Sequence, residues 1–263
     1  MLFAWRSTAA SLRSNVSRRS VGRFLSVTPS AYAQKGAAIA LHQQIASSWD
    51  ADFILSTFDA RANEFNTASL LSAALSRLGK ITKNSASTRL LTPDARLDRL
   101  ARSAAASIYD ADIVQPWKPH EIADACRGVA KVGAVEASKN LLGAVAAVLP
   151  ALADFEGQDL ANTLWSYARA GVEAPCLFEA AAAAAVGKVS DFEPQDLANT
   201  VWAFAKAGVD APLLFEAVAL EATRPAAPRK GNKIDHFNPQ ALANTAWAFS
   251  AAGAKAPLLF EAL

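Results

Sequence analysis

The sequence predicts an all-α protein, a right-handed α-solenoid of stacked helical hairpins, and three observations carry that prediction. The first is a phrase stated three times: Leu160-Ala-Asn-Thr-Leu-Trp165, Leu197-Ala-Asn-Thr-Val-Trp202 and Leu242-Ala-Asn-Thr-Ala-Trp247. The second is its frame, since each copy follows a phenylalanine (Phe155, Phe192, Phe237) and precedes a glycine (Gly171, Gly208, Gly253). The third is the period, 37 residues between the first two copies and 45 between the last two. Self-similarity at such spacing marks one supersecondary unit repeated along a stack. Stacks of this kind present long surfaces, and long surfaces suit long partners.

The elements follow in order along the chain. Residues 1–49 contain no Asp or Glu, and carry Arg6, Arg13, Arg18, Arg19 and Arg23 among many serines and alanines. Arg-rich, Ser-rich and acid-poor composition predicts an organellar transit peptide over residues 1–33, without folded structure. Its removal takes five of the 26 basic residues and none of the 24 acidic ones, leaving a net charge near −3. Any basic surface for nucleic acid must therefore be local. Residues 34–64 read as N-terminal capping helices, Ala37–Ser48 and Ala51–Ala62. The repeat solenoid is expected over 65–263, in about five units of 37–38 residues near 65–110, 117–154, 155–191, 192–236 and 237–263.

The unit at Phe192 shows why the hairpin forms. Pro194 suits the first helical position, where its missing N–H costs nothing. Asp196 lies in the first turn, where the helix dipole favours negative charge. Phe192 and Leu197 sit at the two positions of a hydrophobic staple. Leu197, Val201, Phe204 and Ala205 share one face of the wheel, with Trp202 at its edge. Gly208 then ends the helix by accepting a left-handed conformation. Pro212 opens a second helix with Leu213, Leu214, Phe215 and Val218 as its apolar positions.

A worn copy runs from Trp117 through Pro119, Ile122 and Asp124 to Gly133, with a second helix near Ser138–Leu149. An older one runs from Phe65 to Gly79; its second helix is delayed by the polar stretch Lys80–Thr92 and resumes at Asp94–Ile108. Six alanines, Ala180–Ala185, fill one second helix, where high helix propensity accounts for them. Arg224–Lys233, with two prolines and a glycine, reads as a mobile loop. The last unit stops at Leu263 before its second helix reaches full length, so its apolar face is expected to lie open and the chain to be a fragment.

Other features exclude function classes. No stretch has the length and apolarity of a membrane span, in a chain of mean hydropathy +0.14. Cys126 and Cys176 occupy unrelated repeat positions and suit core-filling residues in a reducing compartment. His42, His120 and His236 share no repeat position. No nucleophile context, phosphate-binding glycine loop or metal-ligand cluster is present, which predicts a protein without catalysis or cofactor.

The first helices carry the candidate binding residues. Gln195, Asn199, Trp202 and Lys206 fall beside the apolar face within about 60° of one another. The same set recurs as Gln158, Asn162, Trp165 and Arg169, and in part as His120, Asp124, Arg127 and Lys131. The last copy offers Gln240, Asn244 and Trp247, with Ala251 in place of the base. In the oldest copy Arg77 stands two residues before its glycine. Stacked units would align these stripes: amides toward base edges, tryptophans for stacking, and Arg77, Lys131, Arg169 and Lys206 toward phosphates. Structural readings stand beside this one. A cation in the last helical turn is favoured by the dipole alone, repeating Trp packs hairpins together, and buried Asn cross-links neighbours.

Phe192-Glu-Pro-Gln-Asp-Leu-Ala-Asn-Thr-Val-Trp-Ala-Phe-Ala-Lys-Ala-Gly208 resembles the organellar helical repeats of the octotricopeptide type. It is similar also to the helical regions of FAST-kinase-like and RAP-domain proteins, and to repeats in a kinetoplastid RNA-editing substrate-binding complex. The segment Phe65–Gly79 resembles the opening unit of such chains, and the likeness covers about residues 37–263. It implies binding to single-stranded organellar RNA, messenger or ribosomal, in processing, stability, editing or translation, alone or with other organellar RNA-processing proteins. A C-terminal RAP domain is not present in this sequence, so the resemblance brings no suggestion of RNA cleavage. The address is expected to be mitochondrial, with a plastid as the alternative. A protein–protein scaffold of the same architecture, as in organellar ribosome assembly, is the rival reading.

Overall fold

Fourteen residues of helix, a left-handed glycine and a second helix recur through a computed structural model that describes residues 31–82, 91–110, 116–148, 152–225 and 232–263. Among the described residues there is no β-strand beyond one isolated bridge between Pro225 and Asn232. Ala37–Leu263 forms one compact unit. The helices are α1 (Ala31–Ser47), α2 (Ala51–Ala60), α3 (Ala68–Ile81), α4 (Ala95–Tyr109), α5 (Pro119–Val132) and α6 (Val135–Val148). They continue as α7 (Gly157–Ala170), α8 (Pro175–Val186), α9 (Pro194–Ala207), α10 (Pro212–Thr223), α11 (Pro239–Ala251) and α12 (Pro257–Ala262).

Two rows result. The first helices pack side by side as α3, α5, α7, α9 and α11, each against the next. In the second row α2 meets α4, α4 meets α6, α8 meets α10 and α10 meets α12. A first row of consecutive neighbours with the second row paired along its side is the solenoid arrangement the repeats predict. The expected transit peptide lies almost wholly outside the described residues; α1 begins at Ala31, six residues before the expected start.

Sequence explains each joint. A short 3₁₀ turn (Ala62–Glu64, Leu152–Asp154, Val189–Asp191, Lys233–His236) delivers a buried phenylalanine, Phe65, Phe155, Phe192 or Phe237. Full burial of one such ring contributes about 1.5–3 kcal/mol. A helix then starts two or three residues later. At α7 and α9 the third helical residue, Asp159 or Asp196, accepts the N–H of the N-cap, Glu156 or Glu193. Asp196 thus closes a capping box, a more specific role than the dipole placement expected of it. Gly133, Gly171, Gly208 and Gly253 end four of the five first helices with φ between 62° and 77°.

The core lies between the rows. Phe178 of α8 meets Phe204 of α9 edge to face at 5.1 Å, and Phe215 of α10 meets Phe249 of α11 in the same way at 5.0 Å. Such pairs add about 0.5–1.5 kcal/mol beyond area burial. The buried Tyr167 hydroxyl donates to the Leu142 carbonyl at 2.7 Å, tying α7 to α6. Thr163, Thr200 and Thr245, the threonines of the repeated phrase, are buried with hydroxyls that meet no hydrogen-bond partner.

Several expectations are corrected. Gly79 does not end its helix: α3 runs on to Ile81 and is capped at Thr82. A Cβ on Gly79 would lie 2.7 Å from the Gly128 Cα, so this pair instead lets α3 and α5 cross closely. Leu213 is 70% exposed while Leu214, Phe215 and Val218 are buried, because the helix turns its second residue outward. Cys126 is buried as expected, but Cys176 is exposed at the same outward position of α8. Lys233 does not belong to a loose loop. Its Nζ donates to the Ser190 and Phe192 carbonyls at 3.0 Å and pairs with Glu221 at 2.7 Å. Residues 226–231 of the expected loop lie outside the described residues.

Candidate nucleic-acid interface

The first helices define a common register. Thr67, Lys118, Glu156, Glu193 and Asn238 are their N-caps, and four of the five helices are 14 residues long. Counting from the caps, position 6 holds Asp124, Asn162, Asn199 and Asn244, position 9 holds Arg127, Trp165, Trp202 and Trp247, and position 13 holds Lys80, Lys131, Arg169, Lys206 and Ala251.

Position 9 shows that the register is real in space. The Trp165 and Trp202 rings lie 6.3 Å apart at 33°, and Trp202 and Trp247 lie 6.4 Å apart at 41°. At the near end the Arg127 guanidinium takes the place of a ring, 5.3 Å from the Trp165 centroid. Arg169 approaches the same ring at 5.3 Å. A cation over an indole contributes about 0.5–1 kcal/mol at exposed sites.

Position 6 is a cross-linking row. Asn162 is buried and its Oδ1 accepts from the Arg127 guanidinium, joining α5 to α7. Asn199 is also buried and accepts from Gln195 Nε2 at 3.0 Å; Gln195 Oε1 in turn accepts from Asn238 Nδ2 at 3.0 Å, joining α9 to α11. Gln158 and Gln240 are exposed and Asn244 is partly so. Buried amides with partners are what desolvation demands, so Asn162 and Asn199 hold the row in register whatever else they touch.

A groove of about 940 Å³ runs along this face from Ser76 and Lys80 of α3 to Asn199 of α9. It brings together Lys131, Gln158, Asn162, Gln195 and Asn199 among the expected residues. It does not take in Arg169 and Lys206, which are exposed at the helix ends; Lys206 instead borders a separate cleft beside Gly171 and Val209. Gln240 and Asn244 also lie beyond it.

Arg77 is placed elsewhere. Its guanidinium donates to the Ser48 carbonyl and, at 3.2 Å, to the Ser47 carbonyl, and it covers the Trp49 ring at 3.9 Å. It closes the C-terminal end of α1, where orphan carbonyls need donors. Lys80 holds the register position assigned to Arg77, and it lines the groove. Counting from the Thr67 cap rather than back from Gly79 would have found it.

The groove's charge is mixed. Among the described residues lining it are four cations, Lys80, Arg127, Lys131 and Lys188, against six carboxylates. Two of the six are the N-caps Glu156 and Glu193, and two more, Asp154 and Asp191, sit in 3₁₀ turns; Asp124 and Asp196 complete the set. Burial pushes the Asp159 and Asp196 carboxyls above their ordinary range despite the N–H each accepts. Burial likewise pulls the Arg127 guanidinium down, opposed by the charges of Asp124 and Asp196.

Sequence reasoning also missed a pair of lysine clamps. Lys188 Nζ donates to the Phe155 carbonyl at 2.9 Å and to that of Ala153, as Lys233 does one unit later. The signal was a lysine four residues before Phe192 and again before Phe237.

A family model described as Tbc2 translation factor, N-terminal domain, matches residues 97–229, half of the chain. The match begins in α4 and extends past α10, so it holds the groove from Asp124 to Asn199 and leaves Lys80, Gln240 and Asn244 outside. No curated protein matches the chain.

Proposed function

The chain belongs to the family of the Tbc2 translation factor N-terminal domain, and on that premise we propose that it binds single-stranded organellar RNA along its row of first helices. The family's description points to translation; transcript processing, stability and editing are the neighbouring roles. One observation carries the reading: amide, aromatic and cationic positions stand in register from unit to unit, as the tryptophan spacings of 6.3 and 6.4 Å show. A regular row of this kind meets a regular polymer. The protein works by holding or presenting a transcript, with no bond-making chemistry or cofactor of its own. The acid-free, Arg-containing residues 1–33 favour a mitochondrial destination, with a plastid as the alternative.

A second reading has its own support. Six carboxylates against four cations in the groove suit a basic protein segment better than a phosphate backbone. The scaffold reading would place such a segment, from a ribosomal or processing protein, in the same groove.

Salt dependence separates the two. Each phosphate contact to a single strand contributes about 0.7 to the slope of log affinity against log salt. Replacing Lys131, Arg169 and Lys206 together by Ala should lower that slope by about 2 for a single-stranded oligonucleotide, with helical content by circular dichroism unchanged. Absence of salt-sensitive binding by the wild-type chain to any single-stranded RNA would favour the scaffold.

A further inference from the structure

We propose that the position-9 ladder is a set of nucleobase slots, with one base inserted between Trp165 and Trp202, one between Trp202 and Trp247, and a third stacked on the outer face of Trp247. This rests on the RNA reading above and names what the tryptophans do within it.

The argument begins with spacing. A base sandwiched between two rings needs about 6.8 Å, twice the ~3.4 Å separation of stacked bases. The ring centroids lie 6.3 and 6.4 Å apart with their planes inclined by 33° and 41°, so rotation toward parallel with an opening of a few tenths of an ångström would bring each pair to the spacing a planar guest needs. Both gaps have the same size although the intervening chain differs, 37 residues in one case and 45 in the other. Exposure points the same way. The phenylalanines that anchor each unit are nearly sealed, Phe155 and Phe192 at 1%. The tryptophans are only partly buried, and Trp247 is 46% exposed. Trp202 packs against the core along part of its surface, and the remainder of each ring is open to a ligand.

The neighbours complete a nucleotide site. Three residues before each indole stands an asparagine (Asn162, Asn199, Asn244), and four after the first two stands a cation, Arg169 or Lys206. The first two units therefore set an amide, a stacking plane and a positive charge in one order along the helix, and the third, with Ala251, offers the amide and the plane alone. Arg127 and Arg169 both lie over the Trp165 ring, at 5.3 Å from its centroid, at that end of the ladder. Because every base has a π-face, the slots discriminate little by themselves; they favour base-bearing strands over bare polyanions.

The test compares two probes of equal length on the full chain, oligouridylate and an abasic ribose-phosphate oligomer, by anisotropy and by tryptophan fluorescence. Oligouridylate should bind tighter and quench the fluorescence, while the abasic oligomer does neither. Trp202→Leu should weaken oligouridylate binding roughly 5- to 150-fold, from stacking energies measured per base, with no change for the abasic oligomer; Trp202→Phe should recover part of the loss. Trp247→Leu, at a more exposed ring, gives the same comparison should Trp202→Leu not fold. Equal binding of the two probes would overturn the slots and leave a phosphate-bound RNA reading standing. Equal weakening of both probes by the leucine variants would make the rings packing residues and also overturn them. Binding of neither probe would remove the RNA reading together with the slots.

Discussion

The crossing of α3 and α5 makes one chemical change produce opposite outcomes at two places. Gly128 and Gly143 both lie inside helices, α5 and α6. Replacing a helical glycine by alanine gains up to about 1 kcal/mol from propensity. At Gly143 a new Cβ meets nothing within 4 Å, so Gly143→Ala should stabilise by nearly that amount. At Gly128 the Cβ would fall on the Leu75 carbonyl and 2.7 Å from the Ser76 nitrogen, and both obstacles are backbone. The Leu75 carbonyl oxygen is the nearer obstacle, and reaching ordinary contact with it near 3.5 Å requires α3 and α5 to part by about 1.3 Å. A gap of that size forfeits about half or more of each affected contact, and overpacking of this kind costs about 1–3 kcal/mol. With rigid obstacles the upper end applies, and the propensity gain offsets part of it, so a net loss of about 2 kcal/mol is expected for Gly128→Ala. At 2–4 °C per kcal/mol for a chain of this size, melting falls by about 4–8 °C in Gly128→Ala and rises by about 2–4 °C in Gly143→Ala. Calorimetry or thermal circular dichroism on the two variants reads both shifts. A Gly128→Ala protein as stable as wild type would refute the close crossing.

Two further changes test the interior of the row. Thr200→Val keeps the shape of a fully buried side chain while deleting a hydroxyl without a partner; unfolding in urea should show a gain of about 1 kcal/mol, and a loss would mean that the hydroxyl is bonded in solution. Burial raises the Asp196 carboxyl in the folded chain, so the folded state holds a proton that the unfolded state releases. The contribution of that group is complete below the unfolded value and is lost as pH rises through the folded one. Asp196→Asn keeps an acceptor for the Glu193 N–H and removes the buried charge, so its melting temperature relative to wild type should be higher near pH 7 than near pH 4. A relative melting temperature that is flat or falls over that range contradicts a desolvated carboxylate.

The repeats were readable because their signals are local. Pro194, the Leu-Ala-Asn-Thr phrase and Gly208 specify a start, a buried face and a stop within 15 residues, and the helix of Pro194–Ala207 follows from them. What failed was alignment across units. Gly79 looks like the stopping glycine of its neighbours, yet its role is set by Gly128, 49 residues away on another helix. That error carried Arg77 into the basic row and hid Lys80. Side-chain destinations were equally beyond local pattern. Period alone puts Asn162 beside the apolar face, but only the stacked neighbour supplies the Arg127 guanidinium that engages it. The lysine clamps announce themselves only by the recurrence of a lysine four residues before Phe192 and Phe237: their acceptors are carbonyls, which every residue has, so no pairing of residue types marks them.

Those clamps also bear on how such an array grows. Lys188 and Lys233 grip main chain of the preceding turn, and a main-chain acceptor survives any substitution that leaves the turn intact. Adjoining hairpins need no co-evolved partner side chain at this joint. A duplicated hairpin carrying its own lysine can seat itself on whichever unit comes before, which lets the array lengthen or exchange modules while its outward-facing letters drift freely.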